Sequence, residues 1–209
     1  MTQPILCLDL EGVLVPEIWI NVAERTKVPE LRRTTRDEPD YGKLMAYRIE
    51  ILDRHNIRID TIQDVISGMG PEEGAKDFLD WARSRMQVVI LSDTFAQFAQ
   101  PLMRQLDWPT IFCHELEVEP SGRISGWKLR MPDQKRASVN AFKSLNYRII
   151  AAGDSYNDTA MLLAAEQGVL FRPSANVVKE FPQLPVETAY AGLQAHIERF
   201  LGAPHSPHM

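Results

Sequence analysis

The sequence of 209 residues predicts an α/β fold, a doubly wound parallel sheet with a small helical subdomain inserted after the first strand. Three observations lead to this prediction. Short apolar runs alternate with helical patterns along most of the chain, which is typical of parallel α/β sheets. Most of these runs end in acidic residues. The segment 17–70 interrupts the alternation and contains helical patterns alone.

Four apolar runs predict the strands of the sheet, which cover residues 5–8, 87–93, 147–154 and 168–171. Continuous apolar runs of this length suit strands that are buried on both faces. The stretch "ELEVEPSGRISGWKL" predicts a β-hairpin over 115–129, with Ser121 and Gly122 at its turn.

Helical spacing of apolar residues fills the intervals between these strands. It predicts helices that cover residues 75–82, 95–106, 139–145 and 159–166. The alternation therefore favours a Rossmann-like sheet, which binds ligands beyond the carboxyl ends of its strands.

The interruption after the first strand contains three amphipathic stripes. They begin at Ile18, Tyr41 and Ile62 and predict three helices. We expect 1–14 plus 71–203 to form the α/β core, 15–70 to form a helical cap over the strand ends, and 204–209 to be a flexible tail.

The composition disfavours several classes of function. The formal net charge is −5 without a basic block, which argues against nucleic-acid binding. No apolar stretch reaches the length of about 18 residues that a membrane span requires, and the first apolar run contains Asp9, unlike a signal peptide. Cys7 and Cys113 lie in apolar stretches and indicate core packing. We expect a cytoplasmic protein.

The acids at the strand ends are the main functional signal. Asp9 and Glu11 follow the first strand, Ser92 follows the second and Asp154 follows the third. Carboxylates are rarely placed at the end of a buried strand unless something pairs with them or coordinates them. Several carboxylates in one crevice repel each other, and a divalent cation relieves this repulsion. Oxygen ligands are typical of Mg²⁺, so the pattern predicts a magnesium site.

Further polar residues near these ends extend the pattern toward phosphoryl chemistry. Asn157 and Asp158 lie one turn after Asp154, and Lys135 precedes the third strand. A lysine and a serine hydroxyl beside a metal supply the positive charge and hydrogen bonds that a phosphoryl group needs. An Asp can itself attack phosphorus and form an aspartyl phosphate.

The segments "DLEGVLVPE", "VVILSDT", Lys135 and "GDSYND" resemble, in order and spacing, the motifs of the haloacid dehalogenase superfamily of phosphotransferases. The helical insertion is similar to the cap of that superfamily. Within it the chain resembles the phosphoserine phosphatases. More narrowly, "TTRD", "LSDTF", "QPLMRQL" and "AAGDSYNDT" resemble the ThrH subfamily, which is described as phosphoserine phosphatase with phosphoserine:homoserine phosphotransferase activity.

The resemblance implies roles for the catalytic and metal-binding residues. Asp9 would be the nucleophile, and Glu11 would protonate the leaving serine. Mg²⁺ would be held by Asp9, the backbone carbonyl of Glu11 and Asp154, with support from Asp158. Ser92 and Lys135 would bind the phosphate.

The resemblance also implies a substrate site formed in part by the cap. Glu17 would bind the substrate ammonium and Arg48 its carboxylate, which suits the bidentate geometry of a guanidinium. Asn157, Asp93 and Thr94 would complete the pocket. The expected partners are phosphoserine and homoserine as acceptor, and a homodimer is a candidate assembly. Serine or threonine biosynthesis would be the pathway served.

Two positions depart from the pattern of the family. Most of its phosphatases carry Asp where this chain has Glu11, and phosphoserine phosphatases usually carry glycines where it has Asp93 and Thr94. If Glu11 activates water poorly, an alcohol could intercept the aspartyl phosphate. The larger side chains at 93 and 94 would either narrow the pocket or bind an alcohol.

Two alternatives stay open at this stage. The chain could be a phosphatase for another small metabolite, since a fold does not determine a substrate. It could also be a phospho-receiver or a binding module without turnover. His55 and His114 are interpreted as structural, and Trp108 as a core residue.

Overall fold

The computed structural model describes residues 3–34, 37–38 and 40–203. Within them a single sheet has the strand order β4-β3-β2-β1-β5-β6-β7. Its strands are β1 (Gln3–Leu8), β2 (Gln87–Phe95), β3 (Thr110–Val118), β4 (Ile124–Lys128), β5 (Tyr147–Gly153), β6 (Gln167–Phe171) and β7 (Val186–Glu187). All neighbouring strands are parallel except β3 and β4, which form an antiparallel hairpin.

Nine α-helices occur in the described ranges. They are α1 (Ile18–Thr26), α2 (Tyr41–Arg54), α3 (Ile59–Ser67), α4 (Ala75–Arg83), α5 (Ala96–Gln105), α6 (Gln134–Ser144), α7 (Tyr156–Ala164), α8 (Ala175–Glu180) and α9 (Tyr190–Gly202). A 3₁₀ turn at Pro29–Arg32 follows α1.

Both faces of the central strands are buried. In β1, Leu6 and Leu8 belong to one apolar cluster, while Ile5 and Cys7 belong to a second cluster on the opposite face. The first cluster contains residues of α4, α5 and α9 and continues into α1 to α3, whereas the second contains residues of α6, α7 and α8. Helices therefore cover both sides of the sheet, as the continuous apolar runs predict.

The register of the central strands brings their carboxyl ends together. Leu8 at the end of β1 pairs with Ile90 of β2 on one side and with Ala152 of β5 on the other. Residues that follow these three positions therefore emerge at the same edge of the sheet, next to the inserted helices.

The inserted helices α2 and α3 are held to the β3–β4 hairpin. Arg123 binds Asp53 of α2 through two hydrogen bonds of 2.8 and 2.6 Å. The backbone nitrogen of Ile59 donates to the carbonyl of Gly122 at 2.9 Å. Gly122 has φ of +80°, a conformation that favours glycine, at the predicted turn. The hairpin thus connects the edge of the sheet to the cap.

The predicted fold class is confirmed, and each predicted strand and helix is present. The sequence patterns did not indicate α8, β7 and α9, and they missed the first half of β3.

Trp108 was predicted to lie in the core, but 58% of it is exposed, because it follows the end of α5 in a left-handed turn. The tail 204–209 lies outside the described residues, and the core and cap boundaries stay predictions. None of the described helices is long and apolar enough to span a bilayer.

Candidate active site

Three carboxylates form the centre of the site. Asp9 follows β1, Asp154 follows β5, and Asp158 lies in the first turn of α7. All three are buried, and oxygen atoms of the three side chains lie within 4.8 Å of one another. Such a set of oxygen donors fits a hard divalent cation, and Asp9, Asp154 and Asp158 could hold one.

Two glycines allow the carboxylates to approach the backbone closely. Gly12 has φ of +75°, and a Cβ atom there would lie 2.6 Å from Cγ of Asp154. A Cβ atom on Gly153 would lie 2.4 Å from Cβ of Asp158. A larger residue at either position would displace a carboxylate of the cluster, so the shape of the site depends on both glycines.

Lys135 of α6 neutralises part of the cluster. Its Nζ donates to Asp9 Oδ1 at 2.9 Å and to Asp158 Oδ1 at 2.7 Å, and it lies 3.8 Å from Asp93 Oδ2. Burial lowers the pKa of Lys135, but the attraction of Asp158, Asp9 and Asp93 outweighs burial and keeps the pKa well above its usual value. Lys135 is therefore positively charged beside these carboxylates.

One lysine does not offset the repulsion between the acids. Burial, followed by repulsion from Asp158, raises the pKa of Asp9 well above its usual range, although Lys135 lowers it. Burial and the charges of Asp158 and Glu17 raise the pKa of Asp154 to about 7. A bound cation would reverse both shifts, since it stabilises the ionised carboxylates.

Asp158 is fixed by the start of α7. Its Oδ2 accepts hydrogen bonds from the backbone nitrogens of Asp154 and Ser155, at 3.0 and 3.1 Å. Ser155 and Asp158 form a capping box. Because Asp158 Oδ1 also binds Lys135, both of its oxygens have partners within the protein, which makes it a residue that orients the others.

Ser92 lies at the end of β2 where the strand leaves its regular pairing. The register against β3 shifts between Leu91 and Phe95. The Ser92 carbonyl accepts a hydrogen bond of 2.6 Å from Gln134 Nε2, and Ser92 Oγ accepts one of 3.3 Å from the Thr94 backbone nitrogen. These bonds hold the hydroxyl of Ser92 in the pocket that also contains Asp9.

Asp93 is surrounded by hydrogen-bond donors. Its oxygens accept from Asn157 Nδ2 at 3.0 Å and from Gln134 Nε2 at 3.3 Å, and His114 Nε2 lies 3.5 Å away. Burial raises the pKa of Asp93, but Lys135 and these three donors outweigh burial and hold it well below its usual range. Asp93 is thus an ionised, well-oriented carboxylate.

The cap completes a cavity of about 140 Å³ above Asp9, which we call the reaction pocket. It is lined by the catalytic candidates and by cap residues, namely Asp9, Glu11, Glu17, Trp19, Ile20, Thr34, Tyr41, Arg48, Ser92, Asp93, Thr94, Phe95, Asp154, Ser155 and Asn157. Its size fits a small phosphorylated metabolite.

Arg48 reaches the reaction pocket from α2. It is buried, its guanidinium stacks 4.4 Å from the centre of the Trp19 ring, and Nη2 donates to the Arg33 carbonyl at 2.8 Å. Its Nε has no hydrogen-bond partner, and no carboxylate of the described residues lies within ion-pair distance. An incompletely paired buried cation is costly, so this geometry favours an anionic ligand.

Glu11 lies between the carboxylate cluster and the cap. Its Oε2 accepts a hydrogen bond of 2.8 Å from the backbone nitrogen of Ile18, the first residue of α1. Burial, and then repulsion from Glu17, raise its pKa to about 7, against the lowering by the Ile18 nitrogen and Arg48. A carboxyl with this pKa can both donate and accept a proton near neutral pH.

A larger cleft of about 810 Å³ adjoins the reaction pocket. The two cavities share Tyr41, Asp93, Ser155 and Asn157. The hydrogen bond between Asn157 and Asp93 therefore forms part of the wall between them.

The structure brings together all the residues predicted for the site. Lys135 lines the larger cleft rather than the reaction pocket, although its Nζ binds Asp9. Sequence reasoning missed Gly12, Gln134, Tyr41 and the position of His114. Only Gly12, directly after the first acids, had a signal, since a glycine there indicates a tight turn.

Comparison with protein families supports the assignment that the geometry suggests. The model of the haloacid dehalogenase-like hydrolases matches residues 17–163, well over half of the chain. The chain therefore belongs to the haloacid dehalogenase-like hydrolases, and the resemblance noted in the sequence is confirmed.

Individual relatives show which members of this family the chain resembles. The chain is 58% identical over 190 residues to the phosphoserine phosphatase ThrH of Pseudomonas aeruginosa, covering 91% of this chain and 93% of the relative. It is 60% identical over 181 residues to a phosphoserine phosphatase of Pseudomonas syringae pv. tomato, covering 87% and 76%. A substrate-bound phosphoserine phosphatase structure superposes with a TM-score of 0.74 at 17% identity, covering 90% and 94%, which supports the fold.

The raised pKa values predict how the stability of the metal-free protein depends on pH. The pKa of Glu11 rises from its usual 4.5 to about 7, so its protonated form is favoured in the folded state. This stabilisation is complete below the unfolded pKa and is lost as the pH rises through the folded pKa. In EDTA we expect the melting temperature to fall between about pH 5 and about pH 8.

The variants Glu11→Gln and Asp154→Asn provide the controls, because each removes one of the titrating groups. In each variant we expect the melting temperature to fall less over this pH interval. In the unmodified protein we expect Mg²⁺ to raise the melting temperature more at the higher pH, where the ligands are deprotonated. The melting temperature is measured by thermal unfolding in a pH series. A melting temperature that rises across this interval would contradict the raised pKa values of Glu11 and Asp154.

Proposed function

We propose that this protein is a Mg²⁺-dependent phosphoserine phosphatase that acts through an aspartyl phosphate on Asp9 and that also transfers phosphate to homoserine. The observation that carries the proposal is the reaction pocket itself. It joins a buried nucleophile, which is paired with Lys135, to an incompletely paired arginine within a volume suited to a small phosphorylated amino acid. The names of the relatives support the choice of phosphoserine.

The first step uses Asp9 and Glu11. An oxygen of Asp9 attacks phosphorus and forms a P–O bond while the bond to the serine oxygen breaks. Glu11, whose pKa is about 7, gives its proton to that oxygen, so serine leaves as a neutral alcohol. Lys135 holds Asp9 at 2.9 Å and offsets its charge as the dianionic group approaches.

The second step reverses the roles. Glu11, now ionised, accepts a proton from water or from the hydroxyl of homoserine, and the resulting oxygen nucleophile attacks phosphorus. The P–O bond to Asp9 breaks, which releases phosphate or phosphohomoserine. Homoserine has the same ammonium and carboxylate as serine, so Glu17 and Arg48 would bind it in the same way.

The metal would be held by Asp9, Asp154 and the Glu11 carbonyl, with Asp158 orienting them. When bound, Mg²⁺ supplies positive charge that stabilises the charge of the phosphoryl oxygens. We place the activity in the cytoplasm, in serine or threonine biosynthesis.

The decisive experiment is incubation with phosphoserine and Mg²⁺, with and without homoserine, while free phosphate and phosphohomoserine are measured. We expect phosphate in both reactions and phosphohomoserine only with homoserine. A panel of sugar phosphates and nucleotides tests the alternative of another metabolite. Faster turnover of one of these would replace phosphoserine as the substrate, and absence of turnover with a stable label on Asp9 would favour a phospho-receiver.

Replacement Asp9→Asn removes the nucleophile and keeps its size. We expect phosphate release to fall by at least about a thousandfold, because the amide cannot form the covalent intermediate. Asp80→Asn, in an exposed ion pair on α4, is the matched control and should retain activity. Retained turnover in a folded Asp9→Asn protein would disprove covalent catalysis by Asp9.

Replacement Arg48→Met tests recognition of the substrate carboxylate. Met keeps apolar contact with Trp19 but removes the charge. We expect KM for phosphoserine to rise about tenfold or more, whereas kinetics with phosphoethanolamine, which has no carboxylate, should change much less. Arg54→Met, in an exposed ion pair on the same helix, is the control. An equal effect on both substrates would contradict the role of Arg48.

Replacement Glu11→Asp tests the balance between hydrolysis and transfer. The shorter side chain restores the residue that most phosphatases of the family carry, which we expect to activate water better. The ratio of free phosphate to phosphohomoserine should therefore rise at a constant homoserine concentration. An unchanged ratio would show that the length of Glu11 does not determine the acceptor.

A further inference from the structure

Asp93 places a negative charge beside the phosphate site. It directly follows Ser92 and lines the reaction pocket together with Ser92 and Asp9. Its Oδ2 lies 3.8 Å from Nζ of Lys135, which itself lies 2.9 Å from Asp9 Oδ1. A phosphate group bound between Ser92 and Lys135 would therefore lie close to the carboxylate of Asp93.

The partners of Asp93 fix the charge without cancelling it. The donors of Asn157 and Gln134 are neutral amides. The backbone nitrogen of Arg130 donates to Nδ1 of His114 at 3.2 Å, so the ring proton lies on Nε2, the nitrogen that faces Asp93. A neutral imidazole with this tautomer donates to Asp93 without adding positive charge.

The nearest cation does not compensate for Asp93 either. Lys135 lies closer to Asp9 and Asp158 than to Asp93, so its single charge is shared by three carboxylates. Five acids line the reaction pocket, namely Asp9, Glu11, Glu17, Asp93 and Asp154, and Arg48 is the one cation among its described lining residues. A phosphate dianion that enters this field is repelled by Asp93 at short range.

We propose that Asp93 lowers the affinity of the site for phosphate by charge repulsion, so that the product phosphate leaves readily after each turnover. Its oxygens already accept from three donors, which makes Asp93 unsuited to abstract a proton. Asp93 therefore affects phosphate binding through the position of its charge and not through proton transfer. This inference rests on the proposed function, since it requires that phosphate binds between Ser92 and Lys135.

The direction in which the affinity for phosphate changes on replacement of Asp93 distinguishes charge repulsion from a structural role. If Asp93 only holds the loop in place, its replacement should loosen the site and weaken phosphate binding. If Asp93 repels phosphate, neutral replacements should strengthen binding. The test is titration calorimetry of inorganic phosphate with the full chain in the presence of Mg²⁺, which requires no substrate turnover.

We expect Asp93→Asn to lower Kd for phosphate by at least about threefold, because the substitution removes a unit charge that repels phosphate at short range. Asp93→Ser should also lower Kd, and it provides a second neutral variant if the amide disturbs the fold. Asp93→Glu keeps the charge and should remain near the wild type. Product inhibition by phosphate should become stronger in both neutral variants.

Asp133→Asn is the matched control. Asp133 also lines the larger cleft and precedes Gln134, but it is paired with Arg136, so its loss should leave Kd unchanged. An unchanged or raised Kd in folded Asp93→Asn and Asp93→Ser would overturn the inference while leaving the proposed function intact. Absence of phosphate binding in the wild type and in both neutral variants would overturn both.

Discussion

The repulsion between buried carboxylates at the end of β1 and β5 is the constraint on which the site depends. Asp9, Asp154 and Asp158 are forced together by the parallel pairing of these strands and by the close packing against Gly12 and Gly153. One lysine does not relieve this repulsion. Near neutral pH a bound cation would relieve this repulsion, and the phosphoryl chemistry that we propose would use the same positive charge.

The cap and the core divide the recognition of the ligand. In the proposed reaction, core residues such as Asp9, Ser92 and Lys135 would bind the phosphoryl group. Arg48 and Glu17, which line the reaction pocket from the cap side of the chain, would bind the rest of the substrate. Glu11 joins the two parts, because it accepts a hydrogen bond from the first residue of α1. Its protonation is therefore sensitive to the position of the cap as well as to the charges of the core.

Much of this architecture could be predicted from the sequence because strand burial leaves a direct pattern. Continuous apolar runs ending in acids identified the strands and the order of the site residues along the chain. The network around Asp93 could not be predicted in this way. His114 lies on β3 and Gln134 on α6, and the spacing of apolar residues predicts such elements but not the contacts of their polar side chains. The contact of these two residues with Asp93 depends on the register shift at the end of β2. The short α8 and β7 lack enough periodicity to be recognised.

The attachment of the β3–β4 hairpin to the cap affects how molecules reach the reaction pocket. Arg123 and Gly122 link the hairpin to α2 and α3, and the hydroxyl of Tyr41 donates to the Asp93 carbonyl at 3.1 Å. The helices are therefore tethered at points well separated from their two chain connections. A wide swing of the whole cap would break all of these bonds at once, whereas separation of Tyr41 from Asp93 would break one. A small movement of the Tyr41 end of α2 would therefore disturb the attachment of the cap less than a movement of all its helices.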